Sequence, residues 1–358
     1  MLSEVLTLQA NYTSNPKSPL MARRKQLVEV EIRDVIGSVL APVFPSWEAG
    51  GSNGKGNPAE VPWTRYYDPV HSPAPTDGWY AVYLFDAAGE SVYLSLNQGT
   101  TTWSVDKQDF IFKPKTKLLP RVQWARDILS ASNAGPKTFD SISLKGRQPL
   151  GRVYQFGNVH GIEYRLDAMP AEEELHDDLV RIGHMLERLY DADALTAYIP
   201  GDEPPEIVDA ELASANAAGN TRKRSKGQGF RLTKPEQTAI ERHAVNLAAE
   251  YFKDLKYQVK DTGASKPYDL LATRGEEEVY VEVKGTMSLG EQIILTRNEV
   301  EHHQQNPNNA LVVVHSIRLD RTQQPPVASG GVRVVTQPWK IDESGLTVIS
   351  YRYQIPPA

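Results

Sequence analysis

Two charged residues stand at alternate positions in a valine-rich run, Val279-Tyr280-Val281-Glu282-Val283-Lys284-Gly285. If the run is a strand, its period of two sends Glu282 and Lys284 to one face. Burying charges there is costly unless they pair or hold an ion. Thirteen residues before Glu282, in Lys266-Pro267-Tyr268-Asp269-Leu270, stands Asp269, placed to share that face from an adjacent strand. Two carboxylates supply the hard oxygens that Mg²⁺ (or Mn²⁺) prefers and leave positions for water and a phosphate oxygen. A site of this kind activates water and shields charge on a phosphodiester. A Glu-x-Lys alone also fits an ordinary same-face ion pair. Asp269 and the order of elements around it are what favour chemistry.

Those elements can be read in turn. Thr233-Lys-Pro-Glu236 has the spacing of a capping box and opens a helix to about Phe252. Strands are expected at Tyr257–Val259, Tyr268–Ala272, Val279–Lys284, Gln292–Leu295 and Leu311–Ile317, with a helix from Thr296 to about Gln305 between the last two. His302 and His303 are adjacent on that helix, face different directions, and are expected to be a solvent-exposed pair.

From about Lys234 to Ile317 this block resembles the PD-(D/E)XK nuclease superfamily, with Pro267-Tyr268-Asp269 in place of a strict Pro-Asp. Val281-Glu-Val-Lys-Gly-Thr286 and Leu295-Thr-Arg-Asn-Glu299 are similar to its restriction-type branch. The resemblance implies that Asp269, Glu282 and the Val283 carbonyl are metal ligands. It implies that Lys284 orients water or stabilises the developing charge, and that Glu241 is an additional acidic residue of the catalytic site near the metal, with Glu250 as the other candidate.

The front half is rich in aromatics. Five of the six tryptophans fall between Trp47 and Trp124, interleaved with Arg65, Lys107, Lys113, Lys115, Lys117 and Arg121. Most must pack a core. Reading an extruded base, however, requires aromatic walls, polar groups for the base edge and a basic rim, and all three residue types are here. Helices are expected from Ser3 to Tyr12, from Met21 to Leu40 with a stripe of Leu27, Val30, Val35 and Val39, and from Pro170 to Tyr190. Strands are expected at Trp63–Tyr67, Trp79–Phe85 and Ser91–Leu96. Bulk on both faces of Trp79–Phe85 predicts a strand covered on both sides, and Asp86-Ala-Ala-Gly89 predicts a hairpin. Ala49 to Asn57 is glycine-rich and reads as a surface loop.

Pro62-Trp-Thr-Arg-Tyr-Tyr67, Gly78-Trp-Tyr-Ala-Val-Tyr-Leu-Phe85 and Val92 to Trp103 resemble the N-terminal DNA-reading domain of McrB-type methyl-dependent restriction proteins. That resemblance implies recognition of modified cytosine in double-stranded DNA, in some members by flipping the base. Candidates for contact with the base or DNA are Trp47, Trp63, Arg65, Tyr66, Tyr67 and Trp79, with Lys113 and Lys115 on the rim. No Gly-x-x-x-x-Gly-Lys-Ser/Thr motif occurs, so dependence on a nucleoside triphosphate is not expected.

The chain's 358 residues suit two globular units of ordinary composition. The divisions expected are a reader over residues 1–195, a flexible linker over 196–230 and a nuclease domain over 231–358. The fold class is α+β or α/β, with a central sheet in the first unit and a mixed sheet flanked by helices in the second. The net charge of −6 hides an uneven distribution, since residues 170–215 hold 13 acidic and 2 basic side chains and both flanks are mildly basic. Arg222-Lys223-Arg224 in the linker either meets phosphates or serves solubility. There is no cysteine, which excludes disulfides and thiolate chemistry. No long apolar run or signal-peptide pattern is seen, so a cytoplasmic protein without a membrane partner is expected. One active site cuts one strand, so a double-strand break implies a homodimer or a higher homo-oligomer. Together these readings describe a type IV restriction endonuclease. The alternatives are a non-catalytic binder of methylated DNA and a nuclease acting on single-stranded or branched nucleic acid.

Overall fold

The computed structural model describes residues 1–351 apart from 105–107, 131–137, 197, 220–231 and 264. Lys107 and Arg222-Lys223-Arg224 therefore lie outside the described residues. The chain divides into two compact units, which part near Gly201.

In the first unit, helix α1 (Leu2–Gln9) is followed by α2 (Pro19–Gln26), a π-helical turn (Leu27–Glu31) and α3 (Ile32–Leu40) in one continuous run. The buried stripe is Leu27, Val28, Ile32, Ile36 and Leu40 rather than the expected Leu27, Val30, Val35 and Val39. The π turn inserts one residue and re-phases the helix. It thereby carries Glu29, Val30 and Glu31 off the buried face.

Six strands form one antiparallel sheet in the order β1-β2-β3-β4-β8-β7: β1 (Glu48–Ser52), β2 (Trp63–Tyr67), β3 (Trp79–Phe85), β4 (Ser91–Gln98), β8 (His160–Arg165) and β7 (Thr138–Phe139). A separate hairpin joins β5 (Thr101–Ser104) to β6 (Asp109–Phe112). Helices α4 (Lys115–Leu129), α5 (Pro149–Phe156) and α6 (Glu172–Leu195) complete the unit. The β3–β4 hairpin forms as the turn signal predicts, and every residue of β3 is buried. Ala49 to Asn57 is not wholly a loop, because Glu48–Ser52 pairs with β2. Gly51 makes this possible, since a Cβ there would lie 2.1 Å from the Val28 carbonyl oxygen of the π turn.

Period-two alternation sorts the sheet's side chains into two layers. Trp79, Ala81, Tyr83 and Phe85 join the main core beneath the helices, and Tyr80, Val82 and Leu84 join a smaller cluster on the other face with Val61, Tyr93, Ile142 and Leu144.

The second unit opens with α7 (Pro205–Ala217), a helix inside the stretch expected to be a linker. Proline at its first turn and the alanines after it suit a helix, although the proline-bordered, alanine-rich composition had suggested a flexible linker. Next come α8 (Lys234–Asp254), β9 (Gln258–Asp261), β10 (Leu270–Arg274), β11 (Glu277–Gly285), α9 (Arg297–Gln305), β12 (Asn309–Asp320) and β13 (Val327–Thr336). The capping box of Thr233 and Glu236 forms as read. Strand order is β13-β12-β11-β10-β9, with β11 parallel to β12 and the other pairs antiparallel. Gln292–Leu295, expected as a strand, pairs with nothing in the sheet and simply leads into α9. β13 is an edge strand that the glycines and serine of Val327-Ala-Ser-Gly-Gly-Val332 conceal from strand propensity. No helix among the described residues is long and apolar enough to cross a membrane.

Candidate functional site

In the second unit, Gly285 shows which face of β11 is which. A Cβ at Gly285 would meet Ala244 and Ile240, so α8 covers the face shared by Val281, Val283 and Gly285. Glu282 and Lys284 point the other way, to α9.

Asp269 stands one residue before β10. Its N–H donates to the Val281 carbonyl at 2.9 Å, and its Oδ2 accepts from the Val283 N–H at 2.8 Å. These two bonds bracket the Glu282 residue, so the two carboxylates sit on one face. Val283 thus touches the site through its backbone while its side chain packs on the α8 side. Glu282 is 1% exposed. Lys284 Nζ lies 2.6 Å from its Oε1 and His303 Nε2 lies 3.5 Å from its Oε2. Both are ion-pair distances, yet neither meets hydrogen-bond geometry, and both Glu282 oxygens are buried without a hydrogen bond. Lys284 Nζ does donate to Glu299 Oε2 at 3.1 Å. Glu299 is itself fixed by a second capping box, accepting from the Thr296 N–H at 2.8 Å.

The electrostatics follow from this crowding. Burial, and then the charge of Glu282, push the Asp269 carboxyl up to about 6, against the pull of the Val283 N–H and Lys284. Burial also opposes ionisation of Glu282, but His303 and Lys284 outweigh it and hold that carboxyl below its usual value. Desolvation works against the charge of Lys284, and the flanking Glu282 and Glu299 more than restore it, so its ammonium is held above its ordinary value.

Two buried carboxylates that repel each other, one of them ion-paired only with Lys284 and His303, fit a divalent cation. Among the described residues no three His, Asp or Glu side chains form a cluster able to hold an ion alone. A carboxylate pair is nevertheless a donor set that Mg²⁺ accepts, since it keeps several waters and takes one or two carboxylates. Glu241 is not brought to the pair. It is exposed on α8, whose Ile240 and Ala244 meet the opposite face of β11, and Glu250 is exposed on the same helix. The histidine pair also departs from expectation. His302 stacks on Tyr268 with ring centroids 5.0 Å apart, and His303 is buried against Trp339 and Glu282. A short polar helix gave no sequence signal for this, because the cover comes from Trp339, far along the chain.

In the first unit, β2 divides the expected aromatics between the two layers. Tyr66 is buried in the main core and its hydroxyl donates to the Leu179 carbonyl at 2.8 Å. Trp79 is fully buried, lies 6.1 Å from Trp124 and carries the Arg121 guanidinium over its ring. Both are core residues and not pocket walls. Trp47 stacks on Phe44 at 4.1 Å and packs against the same core.

Trp63, Arg65 and Tyr67 point to the other face. There Trp63, Arg65, Tyr80, Asn97, Thr100 and Tyr154 help to line a small cleft of about 40 Å³. Arg65 is 3% exposed and its guanidinium lies 3.6 Å from the centre of the Tyr67 ring. It donates to the hydroxyl of Ser72 at 3.0 Å, and burial lowers its pKa. Thr100 Oγ1 is buried with no hydrogen bond. Lys113 donates to the Thr76 carbonyl at 2.8 Å, and burial drives its pKa down to about 8, with nearby Arg121 adding to the effect. Lys115 is exposed, with its ammonium over the Phe156 ring. Tyr80, Tyr154, Asn97 and Thr100 were missed from sequence. The register pairing Arg65 with Val82 puts Tyr80 in phase with Trp63 and Arg65, a signal available once strand pairing is known.

The model of the MrcB-like, N-terminal domain matches residues 7–191, and the model of the Protein NO VEIN, C-terminal domain matches residues 240–325. No curated protein matches the chain.

Proposed function

We propose that this chain, which belongs to the MrcB-like N-terminal domain family, is a modification-dependent restriction endonuclease. The first unit reads double-stranded DNA bearing modified cytosine, and the second hydrolyses its phosphodiesters. The observation that carries this reading is the convergence of Asp269, Glu282 and Lys284, with the Glu282 carboxylate buried beside the Lys284 ammonium.

Asp269 and Glu282 would hold Mg²⁺ or Mn²⁺, with the Val283 carbonyl as a further oxygen. When bound, the ion supplies Lewis-acid chemistry, lowering the pKa of water and neutralising phosphate charge. Lys284, anchored by Glu299, presents its ammonium to the phosphate oxygens as negative charge develops there, or orients the water. Its fixed position spares reorganisation during the reaction. In the first unit, Trp63, Tyr80 and Tyr154 supply aromatic walls, while Arg65 and the unsatisfied Thr100 hydroxyl supply polar groups for a base edge. Lys115 fits a rim that meets phosphates. One active site per chain calls for a homodimer or larger assembly to break both strands.

The test is cleavage and binding by the full chain and three variants. Asp269→Ala and Lys284→Ala should abolish Mg²⁺-dependent cleavage of modified duplex DNA while retaining binding. Trp63→Ala should weaken binding of the modified duplex by about tenfold or more, since stacking on one base is worth about 1–3 kcal/mol. Undiminished cutting by both Asp269→Ala and Lys284→Ala would refute the nuclease assignment.

A further inference from the structure

Helix α9 presents two side chains to the site from one face, because Glu299 and His303 are four residues apart. Glu299 takes the Lys284 ammonium at 3.1 Å. His303 has a fully buried side chain, its Nε2 lies 3.5 Å from Glu282 Oε2, and neither ring nitrogen makes a hydrogen bond among the described residues. An unsatisfied buried polar group costs about 1–3 kcal/mol. A ring that only filled space could be apolar at no such cost. The imidazole is also held from behind. Trp339 packs on it at 5.1 Å, the Asn309 side chain donates to the His303 carbonyl at 2.8 Å, and that same Asn309 accepts from the Trp339 N–H at 2.9 Å.

We propose that α9 is the positioning element of the nuclease site: His303 orients the Glu282 carboxylate toward the divalent ion, and Glu299 orients Lys284 toward the phosphate. This inference rests on the nuclease reading above. His303 touches neither ion nor substrate and acts through Glu282. Contacts at catalytic sites are often long before substrate and ion bind and tighten afterwards, which suits a 3.5 Å separation. Groups that orient metal ligands change metal affinity or activity by about 10–100-fold when removed.

The test compares His303→Gln with His303→Met in the full chain. The two side chains are similar in size and flexibility, but only glutamine can donate to Glu282. Mn²⁺ affinity is measured by calorimetry, with Asp269→Ala as the control. His303→Met should bind Mn²⁺ about tenfold or more weakly, with His303→Gln within a few-fold of the unaltered chain. Glu299→Gln keeps the helix cap, because glutamine also serves at that position. It should leave Mn²⁺ affinity unchanged and lower kcat at saturating ion. Equal Mn²⁺ affinity in the glutamine and methionine variants, whether both intact or both reduced, would overturn the role of His303 and leave it a packing residue. If Asp269→Ala binds Mn²⁺ as well as the unaltered chain, it is the nuclease reading itself that fails.

Discussion

Asp269 shows at a single residue how a site of this kind is set against stability. Its carboxyl is raised to about 6 in the folded protein, above its ordinary value of 3.8, because burial and Glu282 both disfavour its charge. A group whose pKa is higher in the folded state costs stability when ionised. The cost is therefore full above about pH 6 and absent below about pH 4. Asp269→Asn keeps an acceptor for the Val283 N–H and removes the charge, so it should raise the melting temperature by about 2–5 °C at pH 8 in the absence of divalent ions. The gain should shrink as the pH falls through 6, and thermal melts at pH 8 and pH 4.5 check this. A variant less stable than the unaltered chain at pH 8 would contradict the account of repelling carboxylates. Asp269, Glu282 and Lys284 were legible in the sequence because period-two alternation and a two-strand spacing are local properties. His303 was not, since its burial depends on Trp339 and on which face α9 turns to the sheet.

At the scale of elements, the helix run from Pro19 to Leu40 and strand β1 are matched to each other through one glycine. The π turn brings the Val28 carbonyl against Gly51, where a Cβ would sit 2.1 Å from the oxygen, whereas a Cβ at neighbouring Gly50 would meet nothing within 4 Å. Gly51→Ala should therefore destabilise the first unit by about 1–3 kcal/mol, the usual cost of overpacking, and Gly50→Ala should be close to neutral. Denaturant melts of the two variants test the pair, and equal effects would remove the close approach as the cause. Elements with strong end signals were readable. Thr233 with Glu236 forms the capping box its spacing predicts, and the structure adds a second one at Thr296 and Glu299. What could not be read were features decided by packing: the π turn that re-phases a helix, the helix α7 hidden in acidic, proline-bordered sequence, and the glycine-bearing edge strand β13. The division of Tyr66 and Trp79 from Trp63 and Arg65 likewise needed strand register, because composition places all four in one aromatic cluster.

For the whole molecule, the chain joins a unit of the MrcB-like family to a unit with a carboxylate pair and an anchored lysine, each with its own sheet and core. On the proposed reading, discrimination belongs to the first unit and bond breaking to the second, so cleavage should require both a modified base and a divalent ion. The most direct measurement is cleavage of two duplexes of identical sequence, one carrying methylated cytosine and one not, by the full chain with Mg²⁺ or with a chelator. Products are expected only from the methylated duplex and only with Mg²⁺. Equal cutting of both duplexes, or cutting that persists under chelation, would contradict it.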